Sequence, residues 1–450
     1  VIAEGQGCVI KDIDGNEFLD MSSGQICALL GHNHPDLIQK INEQMKRILH
    51  TGTAFLSPSV FEASAKIAEV APGNLKKSIF LSTGAEANEC AFRFAKAYTE
   101  KNGIVAFTRG YAGLTLATAS ASNYGKGAFP TIPESYYILT PDCLRCPVEA
   151  KYPDCNILCL KVSKELLSGA RQKIAAIIFE PILSAGGMIV PPPDYFKALK
   201  NLADEFEALL IADEAQTFGR TGKWFGVEHY EVVPDILVTS KGIGGGFPTS
   251  CIVVTDTIAN EVTGKWGHFS SHQSDPVAAA AAAAVIDVIK KEGLVEKAAE
   301  KGIYLLRGLR EVSERYPHIA NIRGKGLMVG FDVFEDPTAQ KPSETLGYIL
   351  KYACRQKGVH IECIQNGVTF RILPPLTITY EQIDRFLSVL DEAIKETLEG
   401  KHSLNDTLPK NLYTKSIALK KRKTFKATVN RLWETSPKYW VDKLKEKVKA

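Results

Sequence analysis

Short apolar runs alternate with longer mixed stretches through the middle of the chain. The runs SIFL, IVAF, IAAIIFE and Ala208–Ala212 are each bounded by turn residues, a pattern typical of buried strands. The stretch Tyr195–Phe206 predicts one of the intervening helices. Strand–helix–strand alternation from Ile79 to Val254 therefore predicts an α/β fold, a mostly parallel sheet with helices on both faces.

The remaining pattern divides the chain into four parts. Short strands are predicted in residues 1–50, with a turn at Asp14-Gly15. Residues 51–295 are predicted to form the large domain. Two helices, Pro276–Glu292 and Leu294–Tyr316, lead into a smaller α+β lobe over 296–397, and 398–450 form a basic extension. The most apolar run, Val277–Ile286, is too short to cross a bilayer, so we expect a buried helix and no membrane partner.

Two predicted strands, Ala208–Ala212 and Asp235–Val238, each lead to a reactive side chain. Asp213 follows the first strand and Lys241 lies just past the second, beside Gly244–Gly246. Ligands of open α/β sheets bind at the carboxyl ends of the strands, so an acid and an amine are expected in one crevice. An amine that forms a Schiff base, with a carboxylate that keeps a pyridine nitrogen protonated, is what pyridoxal 5'-phosphate (PLP) chemistry needs.

With DEAQTFGRTG between these two side chains, the sequence resembles the PLP-dependent class III aminotransferase family over about residues 1–397. The resemblance implies the aspartate aminotransferase fold and a homodimer or tetramer that acts on an amino acid and a 2-oxo acid. It implies that Lys241 holds PLP, that Asp213 pairs with the ring nitrogen, and that the Gln216 side chain lies beside the ring hydroxyl. Glu180, in the motif EPILSAGG, would neighbour the cofactor.

The motif STGAEANE follows the strand SIFL and opens a helix. Such a turn presents free N–H groups to a phosphate, and the resemblance assigns this role to Thr83, Gly84 and Ala85, together with the partner subunit's Ser271. By the same resemblance Tyr111 stacks on the pyridine ring. Its neighbour is Ala112, where the family usually has histidine.

Two further residues are expected to bind the substrate. In TFRILPPL, the resemblance assigns Arg371 to the substrate carboxylate, which arginine can bind with two parallel hydrogen bonds. In SSGQ, Gln25 stands where most members have aliphatic residues, and this resembles the 2,2-dialkylglycine decarboxylase branch. EPILSAGG resembles that branch as well, although Ala185 replaces a serine often found there.

The expected function is therefore decarboxylation of 2,2-dialkylglycines coupled to transamination of a 2-oxo acid such as pyruvate, with Lys241 and Gln25 as catalytic residues. An ordinary class III aminotransferase and an amino-acid epimerase are the alternatives. A protein of this fold that serves as a binding scaffold through its basic tail is a further alternative of another class.

The decarboxylase branch also implies a potassium or sodium site. By resemblance Asp275 supplies a carboxylate, Ser271 and Gln273 supply carbonyl oxygens, and Ser57 completes the set; oxygen ligands suit such hard cations. Asp275 also suits the N-cap of the alanine-rich helix. The nearby histidines His268 and His272 are expected to be structural.

Ten cysteines without an obvious disulfide framework suit a reducing compartment, and we expect a cytoplasmic protein. Four of them form the pattern Cys143-x2-Cys146-x8-Cys155-x3-Cys159. The spacing permits a zinc or iron–sulfur site. No histidine pattern accompanies it, and free thiols in a surface loop are the preferred interpretation.

The net charge of +3 hides a strongly basic end of the chain. Residues 401–450, which include KKRK at Lys420–Lys423, carry the excess of positive charge, whereas the first 400 residues are acidic overall. We expect this tail to pack on a neighbouring subunit, and contact with nucleic acid or an anionic membrane is the less favoured alternative. Because the sequence starts at Val1 without methionine, an upstream targeting segment is left open.

Overall fold

The computed structural model describes residues 1–122, 131–265, 268–404 and 406–407. Within them the chain forms three β-sheets and the helices that cover them. The basic run Lys420–Lys423 lies outside the described residues. No helix in the described part is long and apolar enough to cross a membrane.

The N-terminal strands form a small antiparallel sheet, as predicted. Its turn is held by the Asp12 carboxylate, which accepts hydrogen bonds from the N–H groups of Asp14 (3.0 Å) and Asn16 (2.9 Å). Pro35 and Pro58 open the two longer helices that follow, where proline's missing N–H costs nothing. The elements are β1 (Ile2–Gln6), β2 (Val9–Asp12), β3 (Glu17–Asp20), α1 (Ser23–Ile26), α2 (Pro35–Arg47) and α3 (Pro58–Val70).

A seven-stranded sheet forms the centre of the molecule. Its strands are β4 (Lys77–Leu81), β5 (Gly103–Phe107), β6 (Ser135–Ile138), β7 (Ile174–Phe179), β8 (Leu209–Asp213), β9 (Ile236–Thr239) and β10 (Ser250–Val254). The connecting helices are α4 (Gly84–Thr99), α5 (Leu116–Ser120), α6 (Leu158–Leu167), α7 (Tyr195–Glu205) and α8 (Asp256–Thr263). The strand order is β4-β10-β9-β8-β7-β5-β6; β10 is antiparallel to both neighbours and the other pairs are parallel, as predicted.

Helices cover both faces of this sheet. In β8, Ile211 packs in one apolar cluster with Ala91 of α4, whereas Leu210 packs in another with Phe196 of α7. Every residue of β7 and β8 is buried, which explains why their sequences are apolar without alternation.

The alanine-rich helix α9 (Pro276–Glu292) has the predicted bounds. Pro276 occupies its first turn and Gly293, at φ +60°, ends it in the left-handed conformation. Its alanines are buried, and their small side chains allow close packing against α2 and α3. The next helix, α10 (Leu294–Arg315), leads out of the large domain.

The C-terminal part of the chain contains a third sheet and contributes one strand to the N-terminal sheet. Its elements are β11 (Ile319–Lys325), β12 (Met328–Asp336), β13 (Lys341–Pro342), α11 (Glu344–Gln356), β14 (Val359–His360), β15 (Glu362–Ile364), β16 (Thr369–Ile372) and α12 (Tyr380–Leu398). The third sheet consists of β11, β12, β13, β15 and β16, and β14 is the strand added to the N-terminal sheet. β14 pairs in parallel with β3 rather than with the third sheet. The predicted boundaries 1–50, 51–295, 296–397 and 398–450 stay a prediction, and the N-terminal strands share a sheet with the C-terminal lobe.

Candidate active site

Three reactive side chains meet beyond the carboxyl ends of neighbouring parallel strands. Glu180 directly follows β7, Asp213 is the last residue of β8, and Lys241 lies two residues beyond β9. Asp213 is paired with Val238 in the register of the parallel strands β8 and β9. The carboxyl ends of parallel strands open to the same side, so these side chains share one crevice. Both predicted strand ranges are shifted by one residue, and Asp213 belongs to β8 rather than following it.

The Asp213 carboxylate is buried and held in place by two hydrogen bonds. The side chain is 6% exposed. Its Oδ2 accepts from Nδ2 of Asn88 at 2.8 Å, and its Oδ1 accepts from the Ala215 N–H at 3.0 Å. Burial raises the pKa of Asp213, while the nearby Lys241 ammonium and the Asn88 hydrogen bond oppose the shift. A buried carboxylate of this kind is suited to a cationic ring nitrogen, which would favour its charged form.

Lys241 begins a 3₁₀ turn in an uncommon backbone conformation. Its φ is +47°, a region that costs energy for a residue with a side chain and that recurs at functional sites. Gly245 follows at φ +60°, and a Cβ there would lie 2.5 Å from Leu37 and 2.9 Å from Val285 of α9. The Lys241 amine forms no ion pair with any residue that the structure describes. The turn therefore leaves this amine available in the crevice.

Glu180 links the crevice to the loop that carries Tyr111. Its Oε1 accepts a hydrogen bond from the Tyr111 N–H at 2.9 Å. Burial, reinforced by the Asp213 carboxylate, raises the pKa of Glu180 to about 8. The Tyr111 loop also lies close to α4, because a Cβ on Gly113 would be 2.7 Å from the Cβ of Ala85. The predicted ring-stacking and phosphate-binding segments are thus neighbours.

The N-terminus of α4 has the form of an anion site. Thr83 is its N-cap and accepts from the Glu86 N–H at 3.2 Å, while Glu86 accepts from the Ser82 N–H at 2.9 Å. Gly84 and Ala85 are the first helical residues, whose N–H groups have no partner within the helix. A Cβ on Gly84 would lie 3.3 Å from Ser240, so glycine keeps this end of the helix close to the Lys241 turn.

Two of the buried side-chain oxygens that lack hydrogen-bond partners among the described residues lie close to Asp213 in the sequence or in the structure. They are Oε1 of Gln216, three residues beyond Asp213, and Oδ1 of Asn88, whose Nδ2 holds Asp213. Buried polar atoms are normally paired, and unpaired ones indicate a missing ligand or water. These acceptors, the available amine, the buried carboxylate and the free helix terminus together fit PLP, a pyridine ring with an aldehyde, a hydroxyl and a phosphate.

Arg371 lies on β16, where the C-terminal lobe approaches the loop after Glu180. Its side chain is buried, and Nη1 donates to the Ser184 hydroxyl at 3.4 Å. A guanidinium in a buried, polar setting is suited to bind a substrate carboxylate. The structure therefore brings Arg371 to the loop that follows Glu180.

Gln25 lies in a tightly held loop against the Lys241 turn. The side chain is exposed, and the α1 segment that contains it contacts the 3₁₀ turn. The loop is anchored by Asp20, which accepts from the N–H groups of Ser22 (2.9 Å) and Gly24 (2.6 Å) and pairs with His32 at 2.8 Å. Burial acts to raise the pKa of Asp20, but these hydrogen bonds outweigh it and lower that pKa.

Two residues that complete the site were not singled out from the sequence. Asn88 orients Asp213, as described above. Arg220 is fully buried; it donates to the Pro374 carbonyl and, at 3.3 Å, to the Ser23 hydroxyl, so it joins the Gln25 loop to the chain after Arg371. Burial lowers the pKa of Arg220 to about 10. Both residues stand in motifs that were recognised, but their contacts are far apart in sequence.

Residues of the predicted alkali-ion site make contacts with other side chains in the structure. Asp275 occupies the N-cap position of α9, as expected, but its carboxylate accepts from both His50 and His272 and makes no side-chain cap bond to the helix. Ser57 is buried against Ser59, with 2.9 Å between the hydroxyl oxygens. The cation site therefore stays a prediction.

Comparisons with known proteins agree with this geometry. Residues 1–394 match the family Aminotransferase class-III. The chain is 37% identical over 412 residues to an uncharacterised aminotransferase of Schizosaccharomyces pombe, covering 88% of this chain and 91% of the relative. It is 33% identical over 410 residues to a leucine/methionine racemase of Thermococcus litoralis, covering 89% of this chain and 92% of the relative.

The fold is similar to that of an amine transaminase from an uncultivated Pseudomonas species, whose structure was solved in a PLP-bound form. The TM-score is 0.83 at 30% identity, and the match covers 88% of this chain and 94% of that chain. The predicted fold of PLP-dependent transaminases is confirmed. On the sequence match over most of its length, the chain belongs to the class-III aminotransferase family.

Proposed function

We propose that the protein is a PLP-dependent enzyme that transfers the amino group of an amino acid to a 2-oxo acid. The observation that carries this proposal is the pairing of an available amine, Lys241, with a buried carboxylate, Asp213, at adjacent strand ends. When bound, PLP supplies an aldehyde that exchanges with amino groups and a ring that accepts electrons from the substrate's Cα. The residues described below bind and orient the cofactor and the substrates, and they transfer protons between them.

Asp213 holds the ring nitrogen in its protonated form. Its carboxylate is fixed by Asn88 and the Ala215 N–H, so it meets the cofactor without reorganisation. Lys241 holds the cofactor through its Nζ between turnovers. With the substrate's amino group in its place, the freed Nζ of Lys241 would act as the general base toward the Cα proton and then as the general acid that delivers it to the cofactor's aldehyde carbon.

Arg371 orients both substrates, because an amino acid and a 2-oxo acid share a carboxylate. Its guanidinium offers two parallel donors, and burial strengthens the charge-assisted hydrogen bonds that it forms. Tyr111 covers one face of the ring, and the α4 N-terminus with Thr83, Gly84 and Ala85 binds the phosphate. Glu180 and Gln216 contact the ring's other substituents.

A homodimer would complete this site. Ser271 lies exposed on a loop whose neighbour, Ser270, hydrogen-bonds to Glu86 of α4 at 3.1 Å. Phe269, two residues before Ser271, is 76% exposed to solvent, as expected of a surface that pairs with another subunit. We propose that the partner subunit's Ser271 reaches the phosphate, in a protein whose free cysteines suit the cytoplasm.

Decarboxylation of 2,2-dialkylglycines is the second candidate, and Gln25 favours it. The bond that breaks at Cα must stand perpendicular to the cofactor ring, and such a substrate has no Cα hydrogen. A neutral amide can hold the substrate carboxylate in that position without the strong ion pair that would stabilise the ground state. Gln25 lies against the Lys241 turn and is uncharged, so it suits this task.

The 33% identical racemase supports a third outcome, epimerisation of an amino acid at Cα. It needs the same proton removal, with return of the proton to the opposite face. One donor screen distinguishes the three reactions: new 2-oxo acid and amino acid indicate transamination, carbon dioxide and a ketone from 2-aminoisobutyrate indicate decarboxylation, and inverted amino acid indicates epimerisation.

The control for this screen is Lys241→Ala, which should lose all three activities and the yellow colour of covalently bound PLP. A wild-type protein that stays colourless and takes up no added PLP contradicts the proposal as a whole. The alkali-ion proposal has its own test, a comparison of rates in potassium and sodium salts at equal ionic strength. Equal rates, together with full activity of Asp275→Asn, would remove it.

A further inference from the structure

Four cysteines of one loop line a single small cavity. The loop runs from β6 to α6, and its fold brings the two halves of the pattern Cys-x2-Cys and Cys-x3-Cys together. The cavity has a volume of about 20 Å³, enough for one or two water-sized spheres. Its lining includes all four thiols and the start of α7: Cys143, Cys146, Cys155, Cys159, Pro192 and Tyr195. The sequence interpretation as free thiols in a surface loop does not by itself explain this convergence.

A backbone N–H group is directed at one of the sulfur atoms. The Ala150 N–H donates to Sγ of Cys146 at 3.4 Å. The turn after Cys146 closes through a hydrogen bond from the Glu149 N–H to the Cys146 carbonyl at 3.1 Å. Such N–H groups stabilise negative charge on sulfur, and hydrogen bonds of this kind orient and support metal ligands.

A divalent cation attracts several thiolates at once, so a metal site needs cysteines that converge on one cavity. These four cysteines meet that requirement, because all of them line the same cavity.

We propose that Cys143, Cys146, Cys155 and Cys159 bind one Zn²⁺ ion. Four sulfur donors are the ligand set of structural zinc sites, and a cavity of this size suits a single ion rather than an iron–sulfur cluster. On binding, each thiol releases its proton to solvent and four Zn–S bonds form, with no change of oxidation state. Among these four described side chains no three sulfur atoms lie within 4.8 Å of one another, so metal binding would require the side chains to rotate into the cavity.

The zinc site would hold the loop against the active site. Asp142, next to Cys143, accepts from Arg109 at 2.6 Å and from Arg145 at 3.1 Å. Arg109 lies two residues before Tyr111 on the β5 loop. The two arginines also place positive charge near a zinc–thiolate centre of net charge −2. All four coordination positions come from the protein, so the zinc is structural and does not contact the substrate.

Metal analysis of the full-length protein tests this proposal independently of enzyme activity. The chain, produced with added zinc and kept reduced, should contain about one zinc per chain, as a closed four-ligand site requires. The double variant Cys143→Ser/Cys146→Ser should lose that zinc. Cys363→Ser, which alters a partly buried cysteine outside the loop, should retain it.

A second measurement covers the case in which the double variant fails to fold. Wild-type protein freed of metal by a chelator should bind Co²⁺ with the intense absorption of a tetrahedral cobalt–thiolate centre, and Zn²⁺ should abolish that absorption. Iron with acid-labile sulfide in the purified protein would overturn the zinc assignment. Wild-type protein that carries no zinc and gives no cobalt–thiolate absorption would overturn the metal site itself.

Discussion

Asn88 and Asp213, on α4 and β8, are joined by a hydrogen bond of 2.8 Å deep in the crevice. The same Nδ2 of Asn88 also donates to the Ala112 carbonyl at 2.8 Å. One amide group therefore connects Asp213, which we propose meets the ring nitrogen, with the loop of Tyr111, which we propose covers the ring. In the proposed complex both parts of the cofactor site would be coupled through this buried side chain.

Replacing Asn88 with alanine should weaken PLP binding. The change removes a donor from a buried carboxylate, which costs about 1–3 kcal/mol, or roughly 5- to 150-fold in affinity. The dissociation constant, measured by absorbance titration of cofactor-free protein, checks this expectation. The matched control is Asn16→Ala, an exposed turn residue, which should leave the affinity unchanged. Equal affinities in the two variants would contradict the role given to Asn88.

Glu180 should make the stability of the cofactor-free protein depend on pH. Burial raises its pKa to about 8 in the folded chain, against 4.5 for an ordinary glutamate. The folded state therefore binds the extra proton, so this contribution is fully present below about pH 4.5 and is lost as the pH rises through about 8. In Glu180→Gln, which cannot ionise, Tm should fall less between about pH 5 and 8 than in wild type.

The comparison with Glu180→Gln is needed because the pKa of Glu214 is raised by burial as well. Burial raises the pKa of Glu214 to about 7, and its carboxylate accepts from the N–H groups of Gly226 (2.7 Å) and Val227 (2.8 Å). This second group contributes equally to both proteins, so the difference between their melting curves isolates Glu180. Parallel Tm profiles would show that Glu180 is ionised throughout this range.

Arg371→Lys should raise KM for the amino acid and the 2-oxo acid by about 10- to 150-fold, because a lysine cannot make both parallel hydrogen bonds to a carboxylate. An amine substrate without a carboxylate should be affected far less. Steady-state kinetics with both kinds of donor measure the difference. A uniform loss with the two donors would mean that Arg371 supports the loop at Ser184 instead of binding the substrate.

Gln25→Ala should separate decarboxylation from transamination. The loss of an oriented donor to the departing carboxylate should slow carbon dioxide release from 2-aminoisobutyrate by on the order of 10- to 1000-fold. Transamination of alanine, which loses a Cα proton instead, should fall less. The two rates are measured side by side on wild type and variant. If wild type transaminates alanine but never decarboxylates 2-aminoisobutyrate, the second candidate function is wrong.

Local signals in the sequence predicted much of the fold. The helix Pro276–Glu292 was bounded correctly because proline and glycine mark its two ends through their own backbone preferences. The crevice could be predicted because strand ends of a parallel sheet share one edge. Asp213 and Lys241 were placed there without knowledge of any contact between them.

Contacts between distant parts of the chain could not be predicted in this way. Asn88 is one polar residue on a largely buried helix, and nothing local shows that it reaches a residue 125 positions away. Arg220 resembles a surface arginine in sequence, yet its side chain is fully buried between two segments of the chain. Pairing of β3 with β14 has no local signal either, since each strand is short and its partner is set by the packing of the whole molecule.

That pairing has a consequence for how the protein is made. β3, which leads into the Gln25 loop, pairs with Val359 and His360, about 340 residues later in the chain. A ribosome adds roughly 5–20 residues per second, so β3 waits on the order of 20–70 s for its partner strand to be synthesised. Much of the central sheet can fold during that interval. The wall of the crevice that holds Gln25 can therefore be completed only after Val359 and His360 have been synthesised.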